Sequence, residues 1–398
     1  MKFKLVTLNI WLLPYPHPLG SKDRKYRLEK FCEELKELDV DVVCLQELWN
    51  EKDFLYLHSE LLHKFPHGHY FHSGFTGSGV GVLSAHKIKG TLIHRYSLNG
   101  FAHHVHRGDW FGGKIVGMVE LDWNGKSVTV YTTHLHAEYN RENDLYLPHR
   151  IAQCFELAQF VRYTSGASDM ILLAGDFNIE PEDLGYLIIR YVGNLYDAWE
   201  NRPNVEDKDG MTCERPDNIY TPAYMRKACP EGKRLDYIMY QSGKSCLQLE
   251  ECTTCFNHIN DDKPTNFSDH VGVTATFKVS SGDDSPSADV CLPNVPLPNS
   301  FLEKALTIVE EGEVRVLWDR RLFMAMCIIA FSLILLTINL ENVFPSTTLI
   351  VETSRFILTL FIGFCLWHGL VGLTMERKAL RETKHTIRNM LNMDADLS

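Results

Sequence analysis

The chain has 398 residues, 45% of them hydrophobic and 11% aromatic, which exceeds the usual single-domain size and can build a full core. Its formal net charge is −11, and residues 1–280 alone carry 30 Lys and Arg against 37 Asp and Glu, a difference of −7. That balance disfavours a general nucleic-acid binder, which needs clustered cations for phosphate contacts, so no nucleic-acid partner is expected.

The N-terminal MKFKLVTLNIW has no apolar run long enough for a signal peptide and reads as a strand over 4–10. Short apolar runs predict further strands over 40–45, 79–84, 115–121, 127–133 and 170–174, and amphipathic patterns predict helices over 24–38 and 150–164. Such alternation implies an α/β domain with helices packed over sheets. The polar residues of interest fall at the ends of these strands. Asn9 ends the first in TLNIW, Glu47 follows the second in VVCLQELW, and His134 and His136 end another in YTTHLHAEY. Asp176 and Asn178 stand in LLAGDFN, Asp236 in RLDYIMY, and Asp269 with His270 closes NFSDHVGV. A side chain at a strand end can reach a cleft while the sheet holds its position.

Gly108-Asp-Trp-Phe-Gly-Gly113-Lys114 meets the first part of a phosphate-binding loop pattern, but Ile115 stands where a hydroxyl should follow. A strand-like IVGMVELDW comes next, not a helix whose N-terminus would receive phosphate, so an ATPase is rejected. A Gly-rich hairpin and a phosphate-contacting Lys114 stay open as alternatives. Trp110, Phe111, Phe101 and Phe75 are expected to pack rather than to dip into a lipid interface. Eleven cysteines, scattered and odd in number, fit a reducing compartment. Cys252-Thr-Thr-Cys255 reads as ordinary strand or loop cysteines, and the Asn266-Phe-Ser268 sequon as chance.

Residues 280–302, rich in Ser, Asp and Pro, read as a linker, and 303–319 as a juxtamembrane helix. Residues 322–340 hold no formal charge, and 356–375 are broken only by His368, each long enough to cross a bilayer core. His368 is expected to pack between helices. Arg315, Arg320 and Arg321 precede the first span, and Arg377, Lys378, Arg381, Lys384 and Arg388 follow the second, against Arg355 alone between them. The positive-inside rule then puts both termini in the cytosol, with 377–398 a cytosolic tail. The short spans favour a thin membrane such as the endoplasmic reticulum.

Phosphodiester hydrolysis needs a cation to neutralise charge, a base for the attacking water, and donors to the pentavalent oxygens. Carboxylate and amide oxygens suit Mg²⁺, and a His paired with an Asp is a base tuned near neutral pH. The strand-end inventory contains all of these parts, although spacing does not assign them.

LNIW, QELW, THLHAEYN, GDFN, RLDY and SDH, in this order, resemble the endonuclease/exonuclease/phosphatase superfamily over about residues 3–278. Within it, FHSGFTGSGVGVLSAHKI, LNGFAHHVHRGDWFGGK and THLHAEYNRENDLYLPHRIAQCFELAQF resemble the neutral sphingomyelinases with two C-terminal spans. The resemblance implies a four-layered αββα sandwich of deoxyribonuclease I-like fold over 1–279, followed by a C-terminal two-helix transmembrane hairpin over 320–376. It implies a sphingolipid substrate, with anionic phospholipids as further membrane partners, and Mg²⁺ with Mn²⁺ as a substitute. Carried over by position, Glu47 would hold the ion with Asn9 and Asp269. His270 would be the general base, oriented by Asp236. Asp176 and Asn178 would position the nucleophile and stabilise the phosphorane, Asn178 also touching substrate. His134 would assist phosphate binding or leaving-group protonation. Lys114 would contact phosphate, and His136, expected on the same side as His134, is a second substrate contact. Other headgroups, such as phosphoethanolamine, inositol phosphate or a lyso-phospholipid, and a membrane-tethered nuclease are the rival readings. An inositol-phosphate phosphatase is disfavoured by the acidic GDFNIEPEDLG, and a catalytically silent adaptor by the complete polar inventory.

Overall fold

The computed structural model describes residues 1–15, 20–203, 210–261, 265–280 and 297–395. They divide into two units, Met1–Tyr146 with Gln153–Leu297, and Leu147–Ala152 with Pro298–Ser398. The predicted linker lies mostly outside the described residues.

The first unit opens with β1 (Lys2–Asn9), α1 (Arg24–Glu37), β2 (Val42–Gln46), α2 (Glu51–Glu60), β3 (His67–Phe71), β4 (Val80–Ser84) and β5 (Lys87–Arg95). A short α3 (Asp109–Gly112), β6 (Ile115–Trp123), β7 (Lys126–His134), α4 (Leu147–Thr164), β8 (Met170–Asp176), α5 (Leu184–Val192) and β9 (Tyr196–Asp197) follow. After α6 (Ala223–Ala228) come β10 (Asp236–Ser242), β11 (Cys246–Cys255), β12 (His258–Ile259), β13 (Thr265–Asn266) and β14 (Gly272–Ser280). One six-stranded sheet runs β11-β14-β1-β2-β4-β3 and the other β5-β6-β7-β8-β10-β9.

Side-chain alternation on the strands builds the layers. Phe3, Leu5, Val42 and Cys44 point from the first sheet into one core with Val119, Val130, Leu172 and Ile238 of the second. Val6, Leu8, Val43 and Leu45 point the other way, onto Phe31 and Leu35 of α1 and Phe54 and Leu57 of α2. On the far side, Tyr131 of β7 packs edge-on against Phe160 of α4, and its hydroxyl lies 2.7 Å from Thr164 Oγ1. Tyr237 of β10 packs against Tyr186 of α5. The order is helix, sheet, sheet, helix, as the resemblance implied.

Each sheet contains one parallel pair made by a helical crossover: β1 with β2 through α1, and β7 with β8 through α4. Parallel neighbours end at the same edge, so Asn9 sits beside Gln46, and His134 beside Asp176. Antiparallel β10 begins where β8 ends, which sets Asp236 against Asp176. This arrangement gathers the polar strand ends at one edge of the sandwich.

The predicted strands and both helices are present with ends shifted by a few residues. Several elements, including β3, β5, β11, β14, α2 and α5, were not among the predicted ones. Asn266 is fully buried, and its amide donates to Asn257 O, so the sequon is structural. Gly175, between β8 residues 174 and 176, has φ +149, and a Cβ there would lie 2.0 Å from Thr133 O. Gly175→Ala is expected to cost about 1–3 kcal/mol or more, since the backbone region is nearly glycine-only and the β7–β8 ladder must part. A urea titration monitored by circular dichroism reads that loss.

The second unit contains α7 (Asn299–Leu336), α8 (Leu340–Val343), α9 (Thr348–Trp367), a π-helical turn at His368–Gly372 and α10 (Leu373–Ala395). The predicted juxtamembrane helix is continuous with the uncharged run after Arg321, inside α7. The helical stretch Pro345–Asn392 is long and apolar enough, by length and composition, to cross a membrane. His368 is buried, stacked on Phe364 and edge-on to Phe323, as a packing histidine should be. Near the polar end of the pair, Glu313 of α7 accepts from Arg381 Nε at 2.6 Å, and from Arg377 Nε and Lys384 Nζ at 3.0 Å. Burial alone would raise its pKa, but the three cations outweigh burial and bring it down to about 2.

Candidate active site

The gathered strand ends floor a cleft of about 750 Å³ in the first unit. Just beneath it, Gln46 Nε2 donates to Thr7 Oγ1 (3.1 Å) and Thr132 Oγ1 (3.2 Å), tying the two sheets together with a buried polar bridge. Glu47, Asn178 and Trp11 have φ of 55°, 51° and 49°. Left-handed backbone is costly for such residues, and here it turns the chain sharply as each strand ends, at the cleft.

Asp176 is the centre of the polar cluster. Asn9 Nδ2 donates to Asp176 Oδ2 at 2.9 Å and to Glu47 Oε1 at 3.2 Å, and Asn178 N–H donates to Asp176 Oδ1 at 2.9 Å. His134 Nε2 lies 3.4 Å and His270 Nε2 4.0 Å from Asp176 Oδ2. His270 Nδ1 is 2.8 Å from Asp236 Oδ2, and Asp236 N–H donates to Thr212 Oγ1 at 3.1 Å. Asp269 lines the cleft beside Glu47, and its Oδ1 accepts from Ser268 Oγ at 3.1 Å. The structure therefore brings together Asn9, Glu47, His134, Asp176, Asn178, Asp236, Asp269 and His270 from six stretches of sequence.

Lys114 joins them. Its Nζ is buried, 2.9 Å from His134 Nε2 and 3.4 Å from Asp109 Oδ1. Tyr139 Oη donates to the other oxygen of Asp109. The Gly108–Lys114 string is thus a turn that opens into β6 and delivers an ammonium to the cleft floor. His136 is not delivered. β7 ends at His134, so strand alternation stops there, and His136 turns behind Asp109, stacked on Tyr146 and fully buried. The expectation that both histidines share a side fails for that reason.

The electrostatics are those of crowded, poorly hydrated carboxylates. Burial and the neighbouring Asp236 push Asp176 up to about 7. Burial and then Asp269 raise Glu47, and burial raises Asp269 itself. Burial, Lys114 and His270 hold His134 well below the ordinary histidine range, so it is neutral with Nε2 as acceptor. Burial would lower His270 as well, but Cys213 and the bonded Asp236 outweigh it and raise its pKa. Cys213 is itself a neutral thiol pushed up to about 11, so Asp236 is the physical cause. Asp176, Asp236 and His270 each bring a donor atom within 4.8 Å of the others, a grouping able to hold a metal ion.

Several residues that build this site carried no signal in the sequence. Arg27, fully buried on α1, donates to Ile10 O (2.9 Å), Trp11 O (2.7 Å) and Phe267 O (2.9 Å), fixing the loops that carry Glu47's neighbours and Asp269. An arginine on an amphipathic helix reads as solvent-facing unless the loops beneath it are known. Asp109 and Tyr139 were hidden likewise, in segments without periodicity.

The model of the Endonuclease/Exonuclease/phosphatase family matches residues 6–270. A candidate neutral sphingomyelinase of Caenorhabditis elegans is 46% identical, covering 98% of this chain and 91% of that protein. Sphingomyelin phosphodiesterase 2 of Mus musculus is 37% identical, covering 80% of this chain and 75% of that protein. Among solved structures, the beta toxin of Staphylococcus aureus superposes with a TM-score of 0.54 at 19% identity, over 69% of this chain and 99% of that one. At that identity the likeness speaks for the fold alone.

Proposed function

The chain belongs to the endonuclease/exonuclease/phosphatase family and within it to the neutral sphingomyelinases, and we propose that it hydrolyses sphingomyelin to ceramide and phosphocholine by attack of water on phosphorus. The observation that carries this reading is the 2.8 Å His270–Asp236 pair facing a buried carboxylate cluster in one cleft.

His270 is the general base on the attacking water. In the neutral form of the ring, which a cation held at Glu47 and Asp269 would favour, Asp236 fixes Nδ1 as the protonated nitrogen, leaves Nε2 to accept the proton, and then neutralises the imidazolium that forms. Asp176 and Asn178 position that water and the phosphorane. Lys114 places its ammonium where negative charge develops, beside a neutral His134, and the pair serves phosphate binding and the departing alkoxide. A residue set that repels itself invites a cation. Asp269 raises the proton affinity of Glu47, Asp236 that of Asp176, and burial that of Asp269, and hard oxygen donors fit Mg²⁺ or Mn²⁺. Glu47 and Asp269 would hold the ion. Asn9 would join them by turning its amide, whose oxygen now accepts from Trp11 N–H at 3.1 Å. When bound, the ion would supply charge stabilisation for the non-bridging oxygens.

The second unit anchors the enzyme as a two-span hairpin over about 322–340 and 356–375, with both termini cytosolic and the endoplasmic reticulum as the membrane. The basic flanks Arg320, Arg321, Arg377 and Lys378 support that orientation. Protease added to sealed microsomes should then digest the catalytic unit, and protection would overturn the topology.

The deciding assay incubates detergent-solubilised protein with labelled sphingomyelin at neutral pH, with Mg²⁺ or with EDTA. Phosphocholine release should fall by about 10³-fold or more in EDTA and return with Mg²⁺ or Mn²⁺. Release that ignores EDTA would remove the metal, and release only from phosphoethanolamine, inositol-phosphate or lyso-phospholipid substrates would reassign the headgroup.

A further inference from the structure

The mouth of the cleft is more apolar than its floor. Phe75 is 89% exposed, Val105 66% and Tyr15 55%, and Trp110 stands beside them at 39%. Phe75, Phe101, Phe111 and Trp110 were expected to pack; Phe101 does so, at 2% exposure, and Trp110 lies edge-on to Phe111 while keeping 39% of its surface in solvent, whereas Phe75 stands out from the surface. They come from three separate connections: the turn after β1, the β3–β4 loop, and the long β5–β6 loop. Phe75, Val105 and Tyr15 line the same cavity as Glu47, Asp176 and His270, so the apolar surface is continuous with the polar floor. Arg107 lies on the same rim, its guanidinium stacked 3.9 Å from the Tyr139 ring centroid.

Large apolar side chains held out into water around a cleft mark a contact surface. Here their arrangement identifies the occupant. A protein partner seated on the rim would close the cleft, whereas a lipid interface both covers the rim and supplies what enters. Tyr and Trp suit the headgroup level, where one end of the ring is apolar and the other wet, and an arginine among them complements lipid phosphates. Building on the sphingolipid reading above, we infer that Tyr15, Phe75, Val105 and Trp110, with Arg107, form a docking rim. The rim inserts into the polar–apolar boundary of a phospholipid bilayer and seats the cleft over a single headgroup.

The test uses the full-length protein reconstituted into phosphatidylcholine vesicles containing sphingomyelin. The doubly substituted protein, Phe75→Ser with Val105→Ser, should lose about tenfold or more of its turnover on bilayer sphingomyelin. On a dispersed short-chain sphingomyelin below its micelle concentration it should stay within about twofold of wild type. Equal losses on both substrates would assign these residues to the fold or the chemistry, and no loss on either would remove them from the membrane; each overturns the rim. A second readout does not need activity. Phe75→Trp should add indole emission, relative to wild type, that brominated-acyl phosphatidylcholine quenches, and unquenched added emission overturns the rim. A wild-type protein that cleaves neither substrate while Phe75→Trp is quenched would sink the sphingolipid reading and leave the docking surface standing.

Discussion

His270→Ala is expected to reduce sphingomyelin turnover by about 10²–10⁴-fold, the usual contribution of a positioned general base. The argument is geometric first. His270 Nδ1 is committed to Asp236 at 2.8 Å, and Nε2 faces the cleft 4.0 Å from Asp176 Oδ2, a separation that a water molecule hydrogen-bonded to both can bridge. Removing the imidazole takes away the proton acceptor without touching Glu47, Asn9 or Lys114, so the loss should appear in kcat, with KM and membrane insertion unchanged. Asp236→Asn should move in the same direction by less, because the amide can still hold the ring but cannot neutralise it. Wild-type-like hydrolysis by His270→Ala would sink the assignment of the base.

The second large effect concerns Glu47, and it has two readouts of opposite sign. Glu47→Gln should raise the Mg²⁺ concentration for half-maximal activity by about 100-fold or more, since losing even an outer partner of a metal ligand costs 10–100-fold. Gln preserves the size of the side chain at a residue with φ of 55°, where Ala would also change the backbone preference. In EDTA, by contrast, the same substitution should stabilise the protein. The folded state raises the Glu47 pKa through burial and Asp269, so at neutral pH its charge opposes folding, and that penalty is lost as pH falls and the carboxylate protonates. A neutral Gln removes it at all pH values. The melting temperature in EDTA should rise by roughly 2–4 °C at pH 7, and the gain should shrink toward acid pH. Unchanged metal dependence together with a lower melting temperature would make Glu47 a structural residue instead.

The two experiments separate chemistry from cation binding because the residues sit on different elements. His270 follows the loop that Arg27 ties down, whereas Glu47 follows β2 directly. A variant that lost both readouts together would therefore point to collapse of the floor shared by Gln46, Thr7 and Thr132.

Periodicity and length are local properties, and what depends on them was legible in the chain. Alternating apolar residues over 4–10 and 127–133 must make strands with two different faces. A run of nineteen uncharged residues over 322–340 has no polar stripe to offer water. The chemical inventory was legible too, because Asn9, Glu47, His134 and Asp176 each stand where an apolar run stops, and His270 where one begins.

What the chain order could not decide is which of those ends meet. That depends on which strands pair, and pairing is a non-local choice: two parallel crossovers, through α1 and α4, bring residues 9, 46, 134 and 176 to one edge. His136 shows the limit at its smallest scale. Two residues beyond the end of β7, alternation no longer holds, and the ring went to Tyr146 instead of the cleft. Arg27 shows it at its largest, since three of its carbonyl partners come from residues 10, 11 and 267. The sequence by itself determined the six predicted strands, the helices α1 and α4, the span-length apolar runs and the parts list, because each follows from neighbours in the chain. Only the tertiary structure decided the cluster around Asp176, the delivery of Lys114 and the exposed rim, because each is made by contacts or solvent exposure between segments far apart in sequence.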